Sequence, residues 1–365
     1  MAIKVGFILL SNSRTPIAST RIAALNMFPF LISAGFEPAI IFEPAQGDET
    51  PDLRGQASGI IAAGFKVVVF QKVHGASVEA LVRELHAASI KTVYAVCDMV
   101  EPGVARLVDA TVVVTDYLKS LYPVSLHEKI HVVHDGIEQP DITKNDWGMH
   151  RGSRTKPLHA VLVTSSHLDW LPVLNTLPPW LRVTVIGRYA PNHAFTRRLQ
   201  EARWAINRQE TVAEKARCLR FLTSRQIKRV AWAPETVHAE MRNADIGIIP
   251  VDTGIEAEKS QSFPAWKVKS ENRLSMKMSI GLPVIATEIP AYTSVIEHGV
   301  SGYFAHNKNE WFGALDALRD PATREQVGSR GRNAVKDRFS MAEQARLFIH
   351  VLNAVTHGLP AAVAS

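Results

Sequence analysis

Twelve short apolar runs rich in β-branched residues, separated by polar or helical-period segments, leave this chain few architectures. In the first half the runs are Lys4–Leu10, Glu37–Phe42, Val67–Phe70, Thr92–Val96, Ala110–Val114 and Ile130–Val133. In the second they are His159–Thr164, Arg182–Ile186, Val230–Trp232, Ile246–Pro250, Pro283–Ala286 and Gly302–Phe304. Segments such as Arg21–Ser33, Ser77–Ala88 and the interval from Thr196 to Arg229 have the apolar spacing of helices. Strands that alternate with helices predict parallel sheets joined by crossover connections. The expected fold class is therefore α/β, with two doubly wound Rossmann-like domains and ligands at the carboxyl ends of strands, in a cleft between the domains.

Two domains also follow from length, since 365 residues exceed one ordinary core. The stretch from Asp135 to Pro157 is polar, rich in turn formers and without period, and reads as the linker. The expected division is 1–150, 151–340, and a closing helix within 341–365, where Ser340 and Glu343 have capping-box spacing. No apolar run reaches the ~18 residues of a membrane span, and the opening MAIKVGFILLSNSRTP reads as a first strand rather than a signal peptide. Cys97 and Cys218 are the only cysteines, which argues against a disulfide framework or a cysteine zinc site and fits a reducing, cytoplasmic setting.

Charge is unevenly placed. Residues 1–150 hold 12 Lys+Arg against 16 Asp+Glu, a balance of −4, and the remainder holds 29 against 19, a balance of +10. An electropositive second half suits an anionic ligand. One anomaly makes the ligand more specific. In KVKSENRLSMKMSIGLPVIAT, Lys267, Lys269 and Arg273 crowd the start of a short helix, where backbone N–H groups already carry partial positive charge. Ser270 reads as the N-cap, with Glu271, Asn272 and Arg273 as an open first turn. Phosphate is a natural guest at such an end; a basic, solvated helix start is the plainer reading.

The neighbouring strings resemble a known family. GLPVIATEIPAYTSVIEHGVSGYFA, from Gly281, and VAWAPETVHAEMRNADIGIIPVD, from Val230, are similar to the nucleotide-sugar half of GT-B glycosyltransferases, especially the retaining family four. VVVFQKVHG, KTVYAVCDMV, ATVVVTDYLKSLY and KIHVVHDGIE resemble, more loosely, the first domain of its bacterial envelope-polysaccharide members. There are departures. Where the family carries a glutamate pair, the second gripping the donor ribose, this chain has Val268 and Met276. Asn272-Arg273 matches an envelope-type variant of the helix start. Where the family has Arg and Lys after the first strand of its second domain, Ser165, Ser166 and His167 stand here, and Arg188 in IGR is a substitute cation.

The resemblance implies transfer of a sugar from a nucleotide-diphosphate donor to a glycan or lipid-linked acceptor, with retention, in cell-envelope polysaccharide synthesis. A non-catalytic nucleotide- or sugar-binding homologue, or a partner subunit of an active transferase, is the alternative. No cofactor or metal is expected. Cations and helix amides aimed at the leaving diphosphate would carry catalysis, with Lys267, Lys269, Arg273 and Arg188 as candidates. Ser165, Ser166, Gly187, Trp232, Pro234, Asp252, Ser270, Glu271 and Asn272 are the donor-binding candidates, although Trp232 also reads as core. Strand-end residues of the first domain are the acceptor-side candidates: Ser13, Arg14, Arg21 and Lys72, with His74 or Asp98 to orient or deprotonate a hydroxyl. His134 is equally a cleft residue or a satisfied loop histidine. The interval Thr196–Arg229 holds ten Lys+Arg against Glu201, Glu210 and Glu214; it reads as a solvated helical pair or as a contact with anionic membrane, and nucleic acid is not an expected partner.

Overall fold

The structure is a computed structural model that describes residues 2–164, 176–189, 195–254, 256–257 and 262–357. The chain divides into two compact units. The first comprises Met1–Glu138, Glu256–Asn272 and Arg338–Ser365, and the second Gln139–Ile255 and Arg273–Asp337.

In the first unit β1 (Ile3–Ile8), β2 (Phe36–Phe42), β3 (Val67–Gln71), β4 (Lys91–Val96), β5 (Ala110–Val113) and β6 (Ile130–Val132) form one sheet in the order β2-β1-β3-β4-β5-β6. Every pairing is parallel. Side chains alternate across it: Val68 and Phe70 enter one apolar layer, and Val67 and Val69 the other. Both faces are covered, which is why these strands read as unbroken apolar runs. The helix Met341–His357 supplies Ala345, Phe348, Val351 and Leu352 to the second layer. Ser340 accepts the Glu343 N–H, while the Glu343 carboxylate pairs with Arg346 instead of closing the capping box. Val268, with Phe263 beside it, joins the first layer, so residues leading into KVKSENR belong to this unit's core.

The second unit repeats the plan with β7 (Leu158–Val163), β8 (Leu181–Gly187), β9 (Ile227–Ala231), β10 (Ile246–Ile249), β11 (Val284–Ala286) and β12 (Tyr303–Phe304). Its order is β12-β11-β10-β7-β8-β9, again all parallel. This is the 3-2-1-4-5-6 winding of dinucleotide-binding folds, with its reversal between β7 and β10. All twelve expected strands are present. The largest shift is in β9, which begins at Ile227 rather than Val230 because Lys228 and Arg229 hide it. Cations inside a strand are what an edge position tolerates.

The expected linker is not a free tether. Ile137 N–H donates to Phe339 O (2.8 Å) in the first unit, whereas Lys144 N–H donates to Ile280 O (2.7 Å) and Trp147 Nε1 to Gly281 O (2.8 Å) in the second. Gly328 makes room for that contact, since a Cβ there would lie 2.2 Å from the Gly281 oxygen and 2.6 Å from Trp147 Nε1. Arg324 then fixes the strap. Its fully buried guanidinium donates to the carbonyls of Trp147, Gly148, His150, Leu318 and Arg319. An ammonium has neither the fork nor the donor count for that arrangement. Arg324→Ala should lower the unfolding free energy in urea by roughly 3–5 kcal/mol, because five buried or partly buried carbonyls lose their donor, and Arg324→Lys should recover little of it.

Candidate active site

In the first unit the polar residues collect where β3, β4 and β6 end. Gln71, the last residue of β3, accepts from Leu10 N–H (3.1 Å) and Thr20 Oγ1 (2.9 Å), and Ser11 Oγ donates to Thr20. That buried network ties the loop after β1 to the helix Ala18–Ala23. Lys72 follows with φ of 59°, a left-handed conformation that a lysine adopts only when its surroundings hold it. Its Nζ lies 2.9 Å from both Glu49 and Asp98. Burial works against the ammonium, yet Asp98 and Glu49 outweigh it and its pKa is raised. His74 sits beside this group, its N–H on Glu49 O (2.7 Å) and its ring 3.9 Å from the Glu101 carboxylate.

After β6, His134 is held from four sides. Its N–H donates to Gln344 Oε1 (2.8 Å), its ring packs on Phe339, and Nδ1 lies 2.8 Å from Val114 O and 2.7 Å from Glu271 Oε1. Two acceptors facing one nitrogen require the proton on Nδ1. That proton is aimed at Val114, so the Glu271 carboxylate, 1% exposed, has no well-directed donor among the described residues. Asp135, also buried, hydrogen-bonds Ser270, and its pKa is pushed up to about 7, first by burial and then by the nearby Glu271 charge.

These contacts correct the reading of KVKSENR. The helix runs Asn272–Ile280, so Ser270 is not its cap; the Ser270 side chain is engaged by Asp135 instead. Glu271 belongs to the buried acid pair and not to an open first turn. Lys267 lies over the Trp266 ring (5.3 Å), and Lys269 is half-buried. Arg21 is held by Glu138 through two bonds (2.6 and 2.9 Å), with Asn26 on the same carboxylate. Ser13 N–H donates to Glu43 (2.6 Å), and Arg14 is exposed.

In the second unit Gly187 ends β8, and its carbonyl accepts the Trp232 N–H (2.7 Å), which brings those two positions together. Arg188 follows, exposed, with Pro234 exposed beyond β9. Trp232 packs with Met276 against the apolar layer of Val161, Val163, Ile186 and Leu282. Both positions of the expected glutamate pair are thus apolar: Met276 lies on this layer and Val268 in the first unit's core. Asp252, exposed after β10, caps its own turn by accepting Gly254 N–H (2.9 Å). Ser165 and Ser166, beyond the end of β7, lie outside the described residues.

Arg273 stands in the first turn of Asn272–Ile280, and one turn on is a residue that the sequence reading passed over. Lys277 is fully buried, and its Nζ donates to Arg273 O (3.1 Å). Burial, and then the Arg273 charge, lower its pKa to about 7. Its stem crosses Gly247 of β10, where a Cβ would meet Lys277 Cδ at 2.9 Å. The signal was present: Lys277 shares the face of Leu274 and Met278, and a glycine inside IGII marks a close approach. Among the described residues, no group of three or more His, Cys, Asp or Glu is placed to hold a metal ion.

No family model matches the sequence, and no curated protein matches it. Solved structures do match in fold. One is Anabaena HepE in complex with UDP-glucose, at TM-score 0.63 and 11% identity, covering 96% of this chain and 100% of that one. A glycosyltransferase from Rickettsia africae gives 0.65 and 12%, covering 97% and 98%. Sucrose-phosphate synthase from Thermosynechococcus elongatus gives 0.66 and 12%, covering 98% and 100%. The fold is that of the GT-B glycosyltransferases.

Two pH-dependent outcomes follow. Asp135 has a folded-state pKa above its ordinary 3.8, so stability is full below about pH 4 and declines as pH rises through about 7. Asp135→Asn should flatten that decline in urea unfolding, gaining over wild type at pH 8 and not at pH 4. Lys277 has a folded-state pKa below its ordinary 10.5, so stability is lost as pH falls from there through about 7. Lys277→Met should be more stable than wild type at pH 6, with the gain shrinking toward pH 10.

Proposed function

We propose that the chain is a glycosyltransferase that moves a sugar from a nucleoside-diphosphate donor to a glycan or lipid-linked acceptor. One observation carries this reading. Gly187 and Arg188 at the end of β8, Trp232 just after β9, and Arg273 in the first turn of a nine-residue helix all belong to the unit whose sheet is wound 3-2-1-4-5-6. Helix amides and two guanidiniums are suited to a diphosphate. Solved relatives in fold are described in complex with UDP or UDP-glucose, which supports the same class of donor here.

Cleavage of the sugar–phosphate bond leaves the nucleoside diphosphate with added negative charge while the sugar becomes cationic. Arg273 and Arg188 would meet that charge as it develops. Retention needs no strong side-chain base, because the departing phosphate can take the acceptor proton. The first unit is proposed to serve the acceptor, with Lys72 and Asp98 orienting its hydroxyl groups and His74 beside them. The role belongs to cell-envelope polysaccharide synthesis in this reading, and neither a metal nor a cofactor is part of it.

A second reading has a specific observation behind it. Met276 and Val268 offer no carboxylate to a ribose, which favours a nucleotide- or sugar-binding homologue without turnover. Calorimetric titration with UDP, GDP, dTDP and ADP separates the two. Binding followed by donor hydrolysis or transfer is expected; binding without turnover selects the second reading, and no binding removes both. Arg273→Ala should weaken the preferred nucleotide by ~1.5–3 kcal/mol, the scale of a charged hydrogen bond, and an unchanged affinity removes Arg273 from the site.

A further inference from the structure

The helices Phe195–Asn207 and Val212–Thr223 of the second unit pack together and bury Ala205, Cys218 and Phe221 inward. Their outward faces are not ordinary solvated surfaces. On the second helix, Val212, Ala216 and Leu219 fall at i, i+4 and i+7 and make one exposed apolar stripe, with Val212 84% and Leu219 51% exposed. Lys215 borders the stripe on one side and Arg220 on the other, both exposed. On the first helix Leu199 is 62% exposed and Trp204 48%. Scattered exposed apolar residues need no explanation, but a stripe at helical spacing with cations along both borders does.

Charge says what covers it. From Thr196 to Arg229 ten Lys+Arg face three carboxylates, and one of those, Glu214, is engaged in the capping box with Thr211. Half-buried Arg229 has the Arg198 guanidinium as a neighbour, and a pocket of about 350 Å³ opens beside it, lined by Tyr189, Arg197, Trp204 and Arg229 among others. An apolar stripe flanked by long cationic side chains is the pattern of a helix that lies in a membrane interface, its stripe among acyl chains and its cations at the phosphates. A single-stranded nucleic acid would need open aromatic faces for stacking; Arg208 lies 4.5 Å over the Trp204 ring and takes one of its faces.

We propose that the outward face of this helical pair docks the protein on a bilayer containing anionic phospholipid. The docking face stands apart from the transferase reading and does not require it. The full-length protein is to be sedimented with vesicles of phosphatidylcholine alone and of phosphatidylcholine mixed with phosphatidylglycerol. It should partition onto the mixed vesicles only, less so as salt is raised. Each neutralised cation should weaken partitioning about fivefold, so Lys215→Gln with Arg220→Gln should cost about 25-fold. Val212→Ser with Leu219→Ser should lower it several-fold at unchanged charge. All four positions are exposed, and the thermal midpoints of both double variants should match wild type. Absence of binding to the mixed vesicles overturns the proposal. Equal binding by either double variant, or capture of a single-stranded RNA in place of the vesicles, overturns it as well.

Discussion

All the strands of each sheet run the same way, and most of what else the structure does depends on that. A parallel strand can be followed by another only after a crossover, so helices cover both faces and the strand interiors become predominantly apolar. Polar side chains are then concentrated at the strand ends. The carboxyl ends of one sheet share a single edge, which gathers residues distant in sequence: Lys72 after β3, Asp98 after β4 and Asp135 after β6 in the first unit. In the second, the same edge collects Arg188, Trp232 and Asp252. Chemistry at this edge is a consequence of topology before it is a consequence of any one residue.

Burial of charge is handled in two ways. Arg324 and Lys72 are enclosed with their partners, five carbonyls for one and two carboxylates for the other. Among the described residues no opposite charge neutralises Asp135 or Lys277. Burial, reinforced by Glu271 for Asp135 and by Arg273 for Lys277, brings an acid and an amine to the same range near 7 from opposite sides. Shifts of that kind concentrate where proteins do chemistry, because structural stability alone gives no reason to keep an unpaired buried charge. Each lies beside a residue of KVKSENR, Asp135 against Ser270 and Glu271, and Lys277 against Arg273.

That stretch shows where sequence reasoning reaches and where it stops. Its cations and its helix are both present, and Arg273 does open the helix. The serine that reads as a cap serves Asp135, and the glutamate that reads as an open first-turn residue is buried against His134. The positions expected to hold a glutamate pair went into apolar layers instead, Val268 in one unit and Met276 in the other. Arg21 was an acceptor candidate by its place at a helix opening, and its bidentate hold on Glu138 could not be seen from either local segment.

The sequence by itself determined element type and order, the parallel topology, and the glycines that admit close neighbours, because side-chain period and backbone freedom are local properties. Even Lys277 was legible in principle, from its helix face and from Gly247. Only the tertiary structure decided which polar residues became buried partners. Those choices turn on atoms a few ångströms apart across long stretches of chain, as in Lys72 with Asp98 and His134 with Glu271, and on a desolvation that a side chain experiences only once packed.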